Sequence, residues 1–261
     1  NPNRYPYSAQ HDQNSALHGA AGTAVQLFAP DQLPIKSALA REFGVFNKLY
    51  TAVPAASNPN HLFIQSATSC GLTSNGLYND CGGKTVTFPQ RTIYDNMADH
   101  NVSFGWFMNT TCGLDGHQCT GPQHPQFSIP APDVAMQGVA RFKRRYFSQE
   151  LFYQQAANGS LPQFSWLNPA FQASDHPCQD VAKGERLLKD VYESLRAGPK
   201  WQQTLLFVAY DDGGGYYDHV VPPHEGVPAD ESPCHVPAPA TPLPAVPPLI
   251  FDGSGSGAER C

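Results

Sequence analysis

Two adjacent carboxylates, Asp211 and Asp212, stand in the segment Tyr210-Asp-Asp-Gly-Gly-Gly-Tyr-Tyr-Asp-His219, directly behind the longest uninterrupted apolar run of the chain, Leu205 to Tyr210. Vicinal acids repel one another, and a divalent cation offsets that cost because hard carboxylate oxygens are its natural ligands. The glycines that follow let backbone approach whatever the acids hold. The plainer reading of the same residues is a solvated acidic turn with a glycine hinge.

Ser57 is the second chemical candidate. It follows the apolar stretch Gly44 to Val53 (GVFNKLYTAV) within a cluster of turn and cap residues, Pro54-Ala-Ala-Ser-Asn-Pro59. Pro59 suits the first turn of a helix, where its missing N–H has no partner to lose. Ser57 is therefore expected at a strand-to-helix corner, where a hydroxyl caps the helix or attacks an electrophile. No Gly-x-Ser-x-Gly surrounds it, which argues against an α/β-hydrolase nucleophile elbow. Coordination to the cation of Asp211 and Asp212 would activate the hydroxyl without a neighbouring base. Three histidines complete the inventory: His11 and His18, seven apart, and His176 in Ser174-Asp-His-Pro177. A histidine taken alone is more often a surface residue than a catalyst.

The elements that must position these groups are readable from periodicity. Gly44 to Val53 and Thr204 to Tyr210 are expected as strands, the second as a central strand covered on both faces. Asn101 to Met108 and Gln163 to Leu167 are further strands on aromatic and β-branched content. His61 to Thr68 can supply a helix, with Leu62 to Ile64 equally readable as strand, and a helix-like segment covers Val134 to Gln155. The clearest helix spans Gln179 to Ala197, where Val181, Leu188, Val191 and Leu195 recur at helical steps before Gly198-Pro199. Strand, helix and strand in alternation imply an α/β fold. Beyond residue 225 prolines crowd the sequence and the end is Gly/Ser-rich, so residues 226–261 are expected as an irregular tail to a domain over 1–225.

The composition narrows the setting. The chain has 261 residues, a net charge of −6 and 41% apolar residues, a globular balance with room for one large core. No apolar run approaches the roughly 20 residues of a membrane-spanning helix. The acidic balance lacks the Lys/Arg excess that nucleic acid rewards, and the one basic cluster, Arg141, Lys143, Arg144 and Arg145, is expected as a solvated helix face. Seven cysteines without a CxxC pair point to disulfides rather than structural zinc. With three glycosylation triplets, at Asn101, Asn109 and Asn158, they favour secretion.

Assembled, these segments resemble the phosphoesterase family of non-specific phospholipases C, bacterial phospholipases C and secreted acid phosphatases. Four stretches carry the resemblance in family order: Val53 to Gly71, Phe88 to Gly105, Asp175 to Leu195, and Thr204 to Val220. The resemblance implies an alkaline-phosphatase-like, three-layer α/β/α doubly wound sheet, incomplete here at both ends. It implies Ser57 as nucleophile, Asp211 and Asp212 with Ser57 as ligands of a divalent metal ion, and His176 and His11 as further catalytic groups. Asn58 and His61 would bind substrate. The implied partner is a phosphoester, phospholipid or phosphomonoester, with peripheral membrane contact as a further expectation. The chain departs from the family pattern in places. A Glu-Asn-Arg-Ser-Phe-Asp opening, whose Glu and Asn complete the metal site, does not precede Pro6; His61 stands where Arg is usual, Asp212 where Glu is usual, and Gln179 where plant members carry His.

The leading expectation is phosphoester hydrolysis through a phosphoserine at Ser57. The alternative is a catalytically silent chain that keeps the fold and binds phosphorylated ligands. A third reading, a carbohydrate-binding module using Trp106, Tyr216 and Tyr217, rests on aromatic abundance alone, which core packing explains more simply.

Overall fold

The computed structural model of the chain describes residues 27–72, 90–108, 136–169, 173–176 and 179–214, together with 218, 220–223, 225–228 and 230. In chain order these form α1 (Pro34–Glu42), α2 (Ser57–Ser66), α3 (Ile93–Asp99), β1 (Phe104–Met108), α4 (Gln137–Ala140), β2 (Tyr146–Ser148), α5 (Gln149–Asn158), β3 (Phe164–Asn168) and α6 (Val181–Ala197). The architecture is mixed α/β. The strands make one parallel sheet in the order β2-β1-β3, with Trp106 paired to Tyr146 on one side and to Trp166 on the other.

Every residue of β1 is buried, which is why it reads as a continuous apolar run. Its alternation sorts the core: Phe104, Trp106 and Met108 join Leu62, Tyr94 and Val139 in one cluster, while Phe107 joins Phe152, Val191 and Leu195 in the other. The first cluster stacks aromatics closely, with Tyr94 and Trp106 ring centroids 4.0 Å apart. Cys70, the cysteine among the described residues, is buried and carries no free thiol.

Local signals fix the helices. In α6, Asp180 accepts from the Ala182 amide at 2.9 Å, and Gly198 ends the helix as its periodicity requires. Ser148 caps α5 through the Leu151 amide, and Gly159 closes it at φ 74°. Thr92 and Asp95 form a capping box at α3, whose buried Asp95 also takes an ion pair from Arg141 at 2.8 Å. The basic cluster is thus not a uniformly solvated helix face. Residues 143–145 form a tight 3₁₀ turn, and the Arg145 guanidinium lies over the Phe104 ring at 4.3 Å.

Two expected strands are absent as strands. Residues 44–53 and 204–210 carry no ladder, and most of their apolar side chains face out, with Leu205 89% exposed and Phe207 53% exposed, while Leu206 packs against the core cluster around Phe107. A continuous apolar run becomes a buried strand only when a neighbouring strand takes its N–H and C=O groups, and among the described residues none lies beside either segment. The two runs instead touch each other through Phe46 and Phe207, ring centroids 5.6 Å apart. The helix-like segment from Val134 to Gln155 is likewise broken, with β2 set between α4 and α5. The tail beyond residue 230 and the aromatics Tyr216 and Tyr217 lie outside the described residues.

Candidate active site

Ser57 opens α2, with Ala56 as the extended residue before it. The corner is built by Asn60, which is 4% exposed. Its amide side chain accepts from the Val53 N–H at 3.1 Å and donates toward the carbonyls of Val53, Ala55 and Ala56 at 3.1–3.2 Å. These bonds tie the incoming loop to the first turn of α2 and satisfy carbonyls that no sheet receives. Pro59 is buried in that first turn, the position its missing N–H suits. The helix is therefore placed as expected, although it begins at Ser57 rather than at His61 and ends at Ser66.

The tandem acids meet this corner from the other end of the sequence. The Ser57 hydroxyl donates to Asp212 Oδ2 at 3.1 Å. His61, one turn further along α2 and buried, brings Nε2 to 3.2 Å from Asp211 Oδ2. Trp166 of β3 packs edge-on against the imidazole with ring centroids 6.3 Å apart, which limits the ring's freedom. The acidic turn is also fastened internally: Asp211 Oδ1 accepts from the Asp212 amide at 3.1 Å, and Asp212 Oδ1 from the Gly214 amide at 2.6 Å. Burial alone would raise the Asp211 carboxyl, but the bond from His61, its charge and the Ser57 hydroxyl outweigh that and hold it down at about 2. Asp211 is thus an anion at any physiological pH.

The remaining expected residues are placed as follows. Asn58 is half-buried in the first turn of α2, beside Ser57. His176 is exposed on the loop before α6, next to Asp175, whose Oδ2 accepts from the Tyr210 phenol at 2.6 Å. His11 and His18 lie outside the described residues. Lys36 was not singled out by the sequence, because a lysine in the first turn of an amphipathic helix carries no local signature of a distant partner.

Among the described residues no group of three or more His, Cys, Asp and Glu side chains could hold a metal ion. The oxygens of Asp211, Asp212 and Ser57 are the hard donors that a divalent cation takes, so the chemistry of the set fits such an ion while supplying part of its coordination shell. No helix among the described residues is long and apolar enough to cross a membrane.

The sequence model of the phosphoesterase family matches residues 3–251. The chain belongs to the phosphoesterase family. Curated relatives agree: a protein named non-specific phospholipase C6 of Arabidopsis thaliana is 34% identical over 79% of this chain and 37% of its own length. Non-specific phospholipase C1 of the same plant is 34% identical over 80% of this chain and 37% of its length. Phospholipase C B of Mycobacterium tuberculosis is 28% identical over 80% of this chain and 41% of its length. This phosphoesterase chain therefore spans well under half the length of the relatives it matches. The mixed α/β architecture with a parallel sheet is consistent with that family.

Proposed function

We propose that the chain carries the catalytic face of a secreted phosphoester hydrolase acting on a phospholipid or a phosphomonoester, with Ser57 as nucleophile. The observation that carries this reading is the meeting of Ser57 with Asp212, and of His61 with Asp211, at one helix N-terminus. Membership of a family whose relatives are named phospholipases C supports the substrate class. The wider three-layer, doubly wound sheet belongs to the same proposal.

The chemistry runs on the chain's own groups. The Ser57 proton passes to Asp212 Oδ2, to which the hydroxyl already donates, as Oγ forms a bond to phosphorus. The ester oxygen leaves as its bond to phosphorus breaks, and it takes a proton from His176. Water then attacks the phosphoserine and gives a proton to His176, the Oγ–P bond breaks, and Oγ takes back the proton held by Asp212. His61, held by ionised Asp211, and Asn58 face the phosphoryl oxygens, and His11 is assigned a part by resemblance alone. A divalent ion held by Asp211, Asp212 and Ser57 would acidify the hydroxyl and neutralise phosphoryl charge. The first turn of α2 adds its N-terminal amides to the same task.

Replacing Ser57 by alanine tests the reading. Hydrolysis of p-nitrophenyl phosphate and of phosphatidylcholine should fall to background while the thermal unfolding curve stays put. Turnover equal to wild type would remove Ser57 from the mechanism.

A second reading has its own observation. All four oxygens of the acid pair already hold bonds within the protein. A chain so satisfied could keep the fold and bind phosphorylated ligands without turnover. Calorimetric titration of the folded chain with Mg²⁺, Ca²⁺ and Mn²⁺ separates the two, since the silent form would take up none of them.

A further inference from the structure

The acid pair sits at the end of a segment that the sheet does not hold. Among the described residues no backbone hydrogen bond fastens Leu205 to Ala209, so the rigidity that a central strand would give Asp211 must come from elsewhere. Leu206 packs against the core cluster around Phe107, and a polar tie is added at Tyr210, the residue immediately before the acids. Its phenol donates to Asp175 Oδ2 at 2.6 Å, and the Lys36 ammonium bonds the same oxygen while standing 5.9 Å from the Tyr210 ring centroid.

Lys36 is itself gripped. Glu185 of α6 accepts from the amides of Ile35 and Lys36 at 2.6 and 3.2 Å, taking up free N–H groups in the first turn of α1, and its carboxylate lies 3.5 Å from the ammonium. Gly184 lets Asp175 press onto α6, since a Cβ there would lie 1.6 Å from Asp175 Oδ1. That oxygen is buried without a hydrogen-bond partner. A partly satisfied, half-buried ion pair is a poor device for stability, because desolvation cancels much of its attraction. What the arrangement does accomplish is to fix the phenol of Tyr210 and, through Asp175, the loop of His176.

We propose that Lys36 and Asp175 are positioning residues of the active site: acting through Tyr210, they set the peptide that carries Asp211 and Asp212 and hold the His176 loop against it. The inference rests on the hydrolase reading for its consequence in turnover, and on geometry alone for the coupling itself.

The test uses backbone amide resonances of the whole chain together with phosphatase kinetics. In Lys36→Met the amides of Asp211 to Gly214, remote in sequence, should shift. Turnover should fall about tenfold with KM changed by less than about twofold, the pattern of misplaced rather than missing groups. Lys36→Arg, which keeps the charge and a donor, should restore both. Should Lys36→Met not fold, Tyr210→Phe removes the phenol oxygen alone from a residue that is 61% exposed, and the same amides should move. Amides of 211–214 that superimpose on wild type in either folded variant overturn the proposal. If the wild-type chain proves inactive, the hydrolase reading fails while the resonances still decide the coupling, so the two failures are distinguishable.

Discussion

The Ser57 hydroxyl and the Asp212 carboxylate are 155 positions apart in sequence and 3.1 Å apart in space. The bond runs from the alcohol to an acid that can accept its proton, so on the proposed hydrolase mechanism Asp212 is the base for Ser57. Asp212→Asn keeps the shape and deletes the basicity, so kcat should fall by about 10²–10⁴ with little change in thermal stability. Steady-state hydrolysis of p-nitrophenyl phosphate reads this directly.

Asn60 is the crosspiece of the Ser57 corner. Truncation to alanine leaves the carbonyls of Val53, Ala55 and Ala56 without their donor in a part-buried setting. Urea unfolding of Asn60→Ala should show a loss of about 1–3 kcal/mol, and turnover should drop as Ser57 loses its fixed approach.

The acid limb of stability follows from Asp211. Its pKa is depressed from an ordinary 3.8 to about 2, so the folded state binds the proton more weakly than the unfolded chain. The stabilisation is complete above pH 3.8 and is lost as pH falls through 2. Because the carboxylate is 43% exposed, solvent screening keeps its size modest. Asp211→Asn should flatten the fall in melting temperature across that window and leave the neutral-pH curve little altered in shape, a comparison for differential scanning fluorimetry.

Gly184 is set by contact rather than by turn geometry. An alanine there meets Asp175 Oδ1 at 1.6 Å, so the carboxylate must leave α6 despite alanine's better helix propensity. Gly184→Ala should cost about 1–3 kcal/mol, and Lys36 should lose its partner. A rise in stability in thermal unfolding would show that the Asp175 loop yields freely.

Leu205 discriminates a buried strand from the arrangement observed. At 89% exposure, Leu205→Ser should change stability by less than about 0.5 kcal/mol, whereas removing a core leucine costs about 2–5 kcal/mol. Chemical denaturation distinguishes these outcomes.

One corner of the candidate site was legible in the sequence. Ser57 was marked by its cluster of turn residues with Pro59, and Asp211 and Asp212 by their place behind an apolar run. The structure brings those acids to the Ser57 hydroxyl and to His61. The helix ending at Gly198 was clear from its helical period, and the strand carrying Trp106 from its aromatic, continuously apolar content. Residues 44–53 and 204–210 misled because apolar continuity records a demand for burial and says nothing of whether a neighbour meets it. The tie among Lys36, Asp175 and Tyr210 stayed silent for another reason: the meeting of three distant segments is a tertiary fact that no local pattern records.

The largely outward-facing run from Leu205 to Tyr210 has a practical consequence. Six uncharged, proline-free residues rich in β-formers, with main-chain groups unclaimed by any described strand, are what intermolecular cross-β stacking recruits. Concentrated stocks of this chain should therefore self-associate and precipitate, starting at this run, and a lysine in place of Leu205 or Phe207 should keep them clear.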